Sequence, residues 1–446
     1  MWFLLAIVVL LVVGLVDGHI ASITAMMLLF VMGLLSVNTR KNKLERDNGA
    51  RVFGIVFSIY MISAFIASQS FLNGQFFYVS DSMKYLEVYS DVSVWSWSET
   101  FQHLSQTYFN FTDDNGLYNE SLAFWAYIAN HYCGGTSVFY MTLLQTGFGL
   151  LASLEIFKIF LFYFEPSRSA KYTLVFALLS LFHIYSIVII RDIIIAFFYM
   201  LGLRKVIGKP KITDGFVLLF IIVVTMGIRL YTGLFFGVFA MFWLFKVVKS
   251  SKYAQYRIVI APVVLIGIAF VGLSVASSLL MESTSGQIGM YDELYSEESG
   301  IASRLRSLPV GIRQISILFF TQLPLDNFSR IYASHSFSNL YLSVLVILYK
   351  VFGFVVFYGL LYYCFIRGQF KMMSFNEKWL LIIMLFFMAL NLSTHIDVRR
   401  SMEAVPIFYL LYMFLSDKIS KSKRKAININ LVILGIIIMI SFAAIS

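Results

Sequence analysis

Residues 172–203 read YTLVFALLSLFHIYSIVIIRDIIIAFFYMLGL, two apolar runs that meet at Arg191-Asp192. About 20 apolar residues suffice for a helix to cross the hydrocarbon of a bilayer. The same texture recurs along the whole chain. Apolar runs lie near 2–16, 20–38, 52–72, 137–163, 172–190, 193–203, 215–228, 231–247, 257–280, 338–365, 379–393, 402–416 and 427–446. Of the 446 residues 59% are hydrophobic and 13% charged, about half the charged share of an ordinary globular protein. A soluble core cannot absorb that much apolar surface. Backbone in lipid must satisfy its own hydrogen bonds, which leaves helices or closed barrels. Barrel strands alternate over about ten residues, and these runs do not alternate. The expected fold is an all-α polytopic integral membrane protein, one transmembrane domain over 1–446 with about 13 transmembrane helices, range 11–14.

Lysine and arginine in the joints set the expected topology, because basic loops stay on the cytoplasmic side. The joints at 39–51, 204–211, 246–257 and 417–425 are basic, and those at 158–171 and 367–378 more weakly so. With thirteen alternating spans all six fall on one side. The N-terminus is then cytoplasmic, and the segments 73–136, 281–337 and 394–401 face outward. No Lys or Arg precedes the run from Trp2 to Leu15, and a second run follows Asp17-Gly18-His19, so a cleaved signal is not expected. The excess of ten positive charges is thus mostly a topological signal rather than a nucleic-acid surface.

Separating the two basic residue types by side leaves a set of arginines that topology does not explain. Of 18 lysines only Lys84 is firmly outside, whereas eight of 16 arginines are: Arg191, Arg229, Arg304, Arg306, Arg313, Arg330, Arg399 and Arg400. Arginine's planar fork binds phosphate or carboxylate bidentately and stays charged when desolvated. An outward-facing anion site is the inference. Arg191 and Arg229 interrupt apolar runs, and an arginine at mid-membrane costs about 2.5–3.5 kcal/mol on insertion scales, which places each near an interface or a hydrated cavity. Arg191 equally suits a pair with Asp192, and both arginines suit snorkelling to headgroups. Arg304, Arg306 and Arg313 lie in a stretch with helical apolar spacing, Ile301 to Phe319, which reads as an interfacial helix or a plain amphipathic lid.

Asp81, Tyr85 and Tyr89 recur every fourth residue and share one helix face. A carboxylate with two rings suits a sugar hydroxyl and its pyranose faces; an N-cap with interfacial tyrosines fits the same pattern. Trp95, Trp97 and Trp125 add aromatic surface. No histidine or cysteine spacing indicates a metal, and no phosphate-binding glycine loop, G-x-S-x-G or H-E-x-x-H motif supports ATP-driven transport, serine hydrolysis or zinc proteolysis. Neither a metal nor a cofactor is expected.

Asp81-x-x-x-Tyr85 after an early span, Ile190-Arg191-Asp192 before a long apolar run, Arg229-x-Tyr231, and Arg399-Arg400 before the Pro406-containing span together resemble the Wzy-type polymerases of O-antigen and exopolysaccharide repeat units, membrane glycosyltransferases related to the GT-C class. The resemblance implies a GT-C-like fold in the bacterial inner membrane. It implies transfer of a glycan from undecaprenyl diphosphate to a lipid-linked repeat unit at the outer face, with a chain-length regulator as a membrane partner. On that reading Arg191, Arg229, Arg399 and Arg400 bind diphosphate, with Arg304 and Arg306 as further candidates for a lipid carrier. Asp81, Asp192 or His395 activates the acceptor, and Tyr85, Tyr89 and Tyr231 contact glycan. A GT-C enzyme using a single lipid-phosphate sugar, or a lipid-linked oligosaccharide flippase, also wants such arginines; the flippase would line a path open to both leaflets.

Overall fold

The computed structural model describes residues 1–39, 42–72, 96, 98–99, 102, 116–209, 211, 213–250, 308–309, 312–325, 336–394 and 398–445. The expected face Asp81, Tyr85 and Tyr89, the arginines Arg304 and Arg306, His395, and the apolar run 257–280 lie outside them. Among the described residues all regular structure is helical. Five helices, Ile20–Asn38, Lys43–Ser70, Val138–Phe160, Phe337–Ile366 and Lys421–Phe442, are long and apolar enough to cross a membrane. The chain divides into two compact units, one of residues 1–201, 326–352 and 442–446, the other of 202–325 and 353–441.

In the first unit α1 (Trp2–Asp17), α2 (Ile20–Asn38), α3 (Lys43–Leu72), α4 (Gly116–Tyr132), α5 (Val138–Phe160), α6 (Pro166–Leu179) and α7 (Leu181–Ser186) pack around α3 and α5. α1 buries Ala6, Leu10 and Val13 and exposes Leu4, Val8, Leu11, Val12 and Leu15. Large apolar side chains turned away from the protein suit lipid, since water would penalise each by about 1.5–3 kcal/mol. α4 lies within the segment 73–136. Trp125 stacks on Tyr140 of α5 at 4.8 Å, donates through Nε1 to the Tyr140 carbonyl, and accepts the Tyr140 hydroxyl on its own carbonyl. Trp125 is a packing residue, and Glu120 on the same helix is buried.

The run 172–190 does not form one span. α6 ends at Leu179, Ser180 turns to an extended conformation and caps α7 by accepting from the Phe182 amide, and Ile187–Ile190 continue as buried bends to Arg191. Serine at the break supplies the side-chain acceptor that a helix start needs. Apolar continuity concealed it.

The second unit contains the hairpin of α9 (Asp214–Ile228) and α10 (Leu230–Ser250), the short α11 (Ile312–Phe320), α13 (Phe375–Thr394), α14 (Val405–Ser416) and most of α15 (Lys421–Ile445). α8 (Asp192–Ile207) and α12 (Phe337–Leu361) complete the chain. α9 and α10 approach closely because residue 233 is glycine: a Cβ there would lie 2.5 Å from the Met226 nitrogen and 2.8 Å from the Ile222 carbonyl oxygen. The helix expected across Ile301–Phe319 is shorter where described. It begins at Ile312, after a non-helical Leu308-Pro309, because proline lacks an amide and its ring opposes a preceding helical turn. α11 buries Ile317 and Leu318 and exposes Ile312, Ile315 and Phe319.

The six basic joints meet in three pairs. Lys158 Nζ donates to Ser36 Oγ at the end of α2, Lys246 Nζ to the carbonyls of Val206, Ile207 and Gly208, and Lys418 Nζ to the Met372 carbonyl. Each contact joins one lysine-bearing joint to another or to the helix end that precedes it.

Candidate functional site

Arg191 and Asp192 stand where the buried bends give way to α8, 8% and 1% exposed respectively. The Arg191 carbonyl accepts from the Ile194 and Ile195 amides, closing the first turn of α8. Thr146 Oγ1 of α5 donates to the Ser186 carbonyl at 2.9 Å, so a polar side chain satisfies the carbonyl at the end of α7. Irregular backbone at membrane depth persists only where protein buries it or water lines it.

Arg229 occupies the turn of the α9–α10 hairpin in extended conformation. Its carbonyl accepts the Thr232 amide at 3.1 Å and the Thr232 hydroxyl at 2.7 Å, which starts α10. A hairpin tip is ordinarily solvated, yet Arg229 is 2% exposed. Its guanidinium is therefore held inside the protein. Tyr231 lies in the first turn of α10. Phe235 of α10 packs on Phe387 of α13 with centroids 4.5 Å apart. Arg229 precedes that crossing by six residues and Thr394 follows it by seven, about 9 and 10 Å of helical rise.

Arg399 and Arg400 fall in a 3₁₀ turn, Val398–Ser401, that packs on α13. The Arg399 carbonyl accepts the Met402 amide and the Ser401 carbonyl the Ala404 amide, winding the chain into α14, whose Pro406 suits a helix start. Ser401, Met402, Glu403 and Ala404 are fully buried. Glu403 is the residue that reading the sequence missed. The apolar run 402–416 contains a single acid, and that isolation was the available signal.

One regularity links the described arginines. Arg191 stands directly before α8, Arg229 before α10, and Arg399 in the turn leading to α14. The C-terminal ends of the same helices carry Arg204 and Lys205, Lys246, and Lys418. A helix N-terminus carries about half a positive charge, so lysine complements the C-terminal end whereas arginine at the N-terminal end adds like to like. Such an end binds anions. Asp192 and Glu403 place carboxylates in the same turns, and the mixture of guanidinium, helix amides and buried acid suits a phosphorylated ligand with a transferable proton nearby. Lengths reinforce the point: α8 and α9 have 16 and 15 residues, about 24 and 22 Å, short of a bilayer's roughly 30 Å.

Among the described residues no group of His, Cys, Asp and Glu is placed to hold a metal ion. The chain is an α-helical membrane protein with arginines buried at helix N-termini. No known family model, curated protein or solved structure matches it.

Proposed function

We propose that the chain is a Wzy-type repeat-unit polymerase of the bacterial plasma membrane, transferring a glycan from undecaprenyl diphosphate to a hydroxyl of an incoming lipid-linked repeat unit at the outer face. In this reading the chain makes thirteen alternating spans with a cytoplasmic N-terminus, and 73–136, 281–337 and 394–401 face outward. The observation that carries it is the distribution of cations along α8, α10 and α14, with arginine and no lysine leading into the N-terminal ends, and lysine, joined at α8 by Arg204, at the C-terminal ends. Basic joints that meet in pairs within each unit are what alternating spans with cytoplasmic basic loops would bring together.

The chemistry follows from what the leaving group lacks. A sugar diphosphate departs readily once its developing charge is held, and preorganised cations in a dry site do that without reorganising. Arg229, Arg399, Arg400 and Arg191 are assigned to diphosphate, and Arg304 and Arg306 to a second lipid carrier. The acceptor hydroxyl needs a base within hydrogen-bond reach, for which Asp81, Asp192 and His395 are joined by Glu403. Tyr85, Tyr89 and Tyr231 are assigned to the glycan.

Deletion of the gene in its host tests the reading. Long surface glycan is expected to collapse to a single repeat on its acceptor while repeat units still reach the outer face. Loss of even the single repeat would identify a flippase instead.

A further inference from the structure

The break between α6 and α7 leaves the Ala177 and Leu178 carbonyls without the amide partners that a continuous helix would supply. Side chains take both. Tyr60 Oη donates to the Ala177 carbonyl at 2.8 Å, and His183 Nδ1 lies 3.1 Å from the Leu178 carbonyl. A carbonyl only accepts, so Nδ1 carries the hydrogen, and Nε2 of the neutral ring is left as a proton acceptor. Ser63 Oγ faces Nε2 at 2.9 Å and stands 2.5 Å from Tyr341 Oη. The single hydroxyl hydrogen of Ser63 has two acceptors in reach, Nε2 and the Ile59 carbonyl at 2.7 Å, and rotation about the Cβ–Oγ bond carries it from one to the other.

Packing holds this chain of groups in register. The Tyr60 ring stacks on the imidazole at 5.1 Å and 17°. Ser70 Oγ donates to Asn339 Oδ1, tying the first turn of α12 to the end of α3. Gly149 admits Tyr60 and Ser186 against α5, since a Cβ there would collide with Ser186 Oγ. His183 and Ser63 are buried, whereas Tyr341 is half-buried. The links therefore run from an interior base to a phenol that a ligand can reach, through a hydroxyl with an alternative resting acceptor.

We infer that Tyr341, Ser63 and His183 form a proton relay, and that this relay rather than a carboxylate or His395 removes the hydrogen of the acceptor hydroxyl. For the reaction we rest on the polymerase reading. The acceptor oxygen bonds the anomeric carbon as the diphosphate departs with the electron pair of the broken C–O bond. Its proton passes to Tyr341 Oη, the Tyr341 hydrogen to Ser63 Oγ, and the Ser63 hydrogen to His183 Nε2. The resulting imidazolium is held between the π face of Tyr60 and the Leu178 carbonyl, and after product leaves the steps reverse and Tyr341 Oη releases the proton to water. Tyr341 is the catalytic residue. Ser63 and His183 act through it and are positioning residues.

Two measurements test the relay. Solid-state nitrogen NMR of ¹⁵N-histidine protein in bilayers needs no substrate, and His183→Gln assigns its signal. A neutral ring with hydrogen on Nδ1 is expected, its Nε2 shift moving in Ser63→Ala and in Tyr341→Phe; hydrogen resting on Nε2 in the neutral ring overturns the relay. In reconstituted turnover with lipid-linked repeat units, Tyr341→Phe and Ser63→Ala are expected to lower kcat about 100-fold at unchanged KM, with Ser63→Thr restoring it. Either variant keeping the wild-type kcat and pH profile overturns the role in catalysis. Wild-type protein with the expected tautomer that makes no polymer overturns the polymerase reading and leaves the relay's wiring supported.

Discussion

The two ends of α10 show how differently one protein uses its two kinds of cation. At the C-terminal end Lys246 is half-buried, and its ammonium is shared among three backbone carbonyls at the end of α8. At the N-terminal end Arg229 is enclosed, and its carbonyl rather than its guanidinium begins the helix. Lysine there closes a structure that is electrostatically incomplete, since C-terminal carbonyls attract cations. Arginine stands against the helix field. Arginine at such an end suits an anionic ligand, and the same contrast repeats at α8 and α14.

Substitutions that exchange or remove these cations probe the contrast. The largest effect is expected at the arginine ends. Arg229→Lys and Arg399→Lys keep the charge but lose the fork, and each should lower polymerisation at least about 100-fold, roughly 2.7 kcal/mol in the barrier, while the protein still inserts and purifies as a single species. Wild-type rates in both would remove the reason for assigning diphosphate to these ends. Next is the hairpin that presents Arg229. Gly233→Ala drives a methyl group against backbone of α9 and should cost about 1–3 kcal/mol, read as a lowered Tm in detergent; an unchanged Tm would mean that the hairpin opens without penalty.

The lysine end should behave differently in kind as well as size. Lys246→Met leaves three carbonyls without their ammonium and is expected to cost about 1–2 kcal/mol with polymerisation per folded molecule unchanged. A large loss of turnover at wild-type Tm would place Lys246 in the reaction and erase the distinction. The smallest effect is expected at the Lys205–Asp214 pair, 2.6 Å apart with the lysine side chain 26% exposed. Because the Asp214 side chain is 8% exposed, the two are replaced together, Lys205→Met with Asp214→Leu, which leaves no buried charge unpaired and should shift stability by less than about 1 kcal/mol, measurable as a small change in Tm.

Much of this arrangement was legible before any coordinates. Residues 20–38, 52–72 and 137–163 read as spans because burial in lipid requires length and apolarity, both of which are local properties. Arg191 and Arg229 stood out for the converse reason, as charges where apolar residues were expected. At Pro309 the apolar spacing argued for a helix running across it, and the described helix begins at Ile312. The break at Ser180 was harder to see, because Ser180, His183 and Ser186 are small or neutral enough to pass within an apolar run. Trp125 counted as aromatic surface without a partner, since a ring that stacks on Tyr140 and one that stacks on a sugar look alike in sequence.

Composition and charge order by themselves determined that the chain belongs in a membrane, which joints are basic, and which arginines topology leaves unexplained. Those conclusions depend on transfer from water to lipid, a cost each residue incurs whatever its neighbours. Tertiary structure decided that Glu403 is buried beside the arginine turn, that Arg229 is enclosed at a hairpin tip, and that Ser63, His183 and Tyr341, far apart in the chain, are hydrogen-bonded in series. Hydrogen bonds act over about 3 Å and depend on direction, so only packed helices can set which polar groups meet.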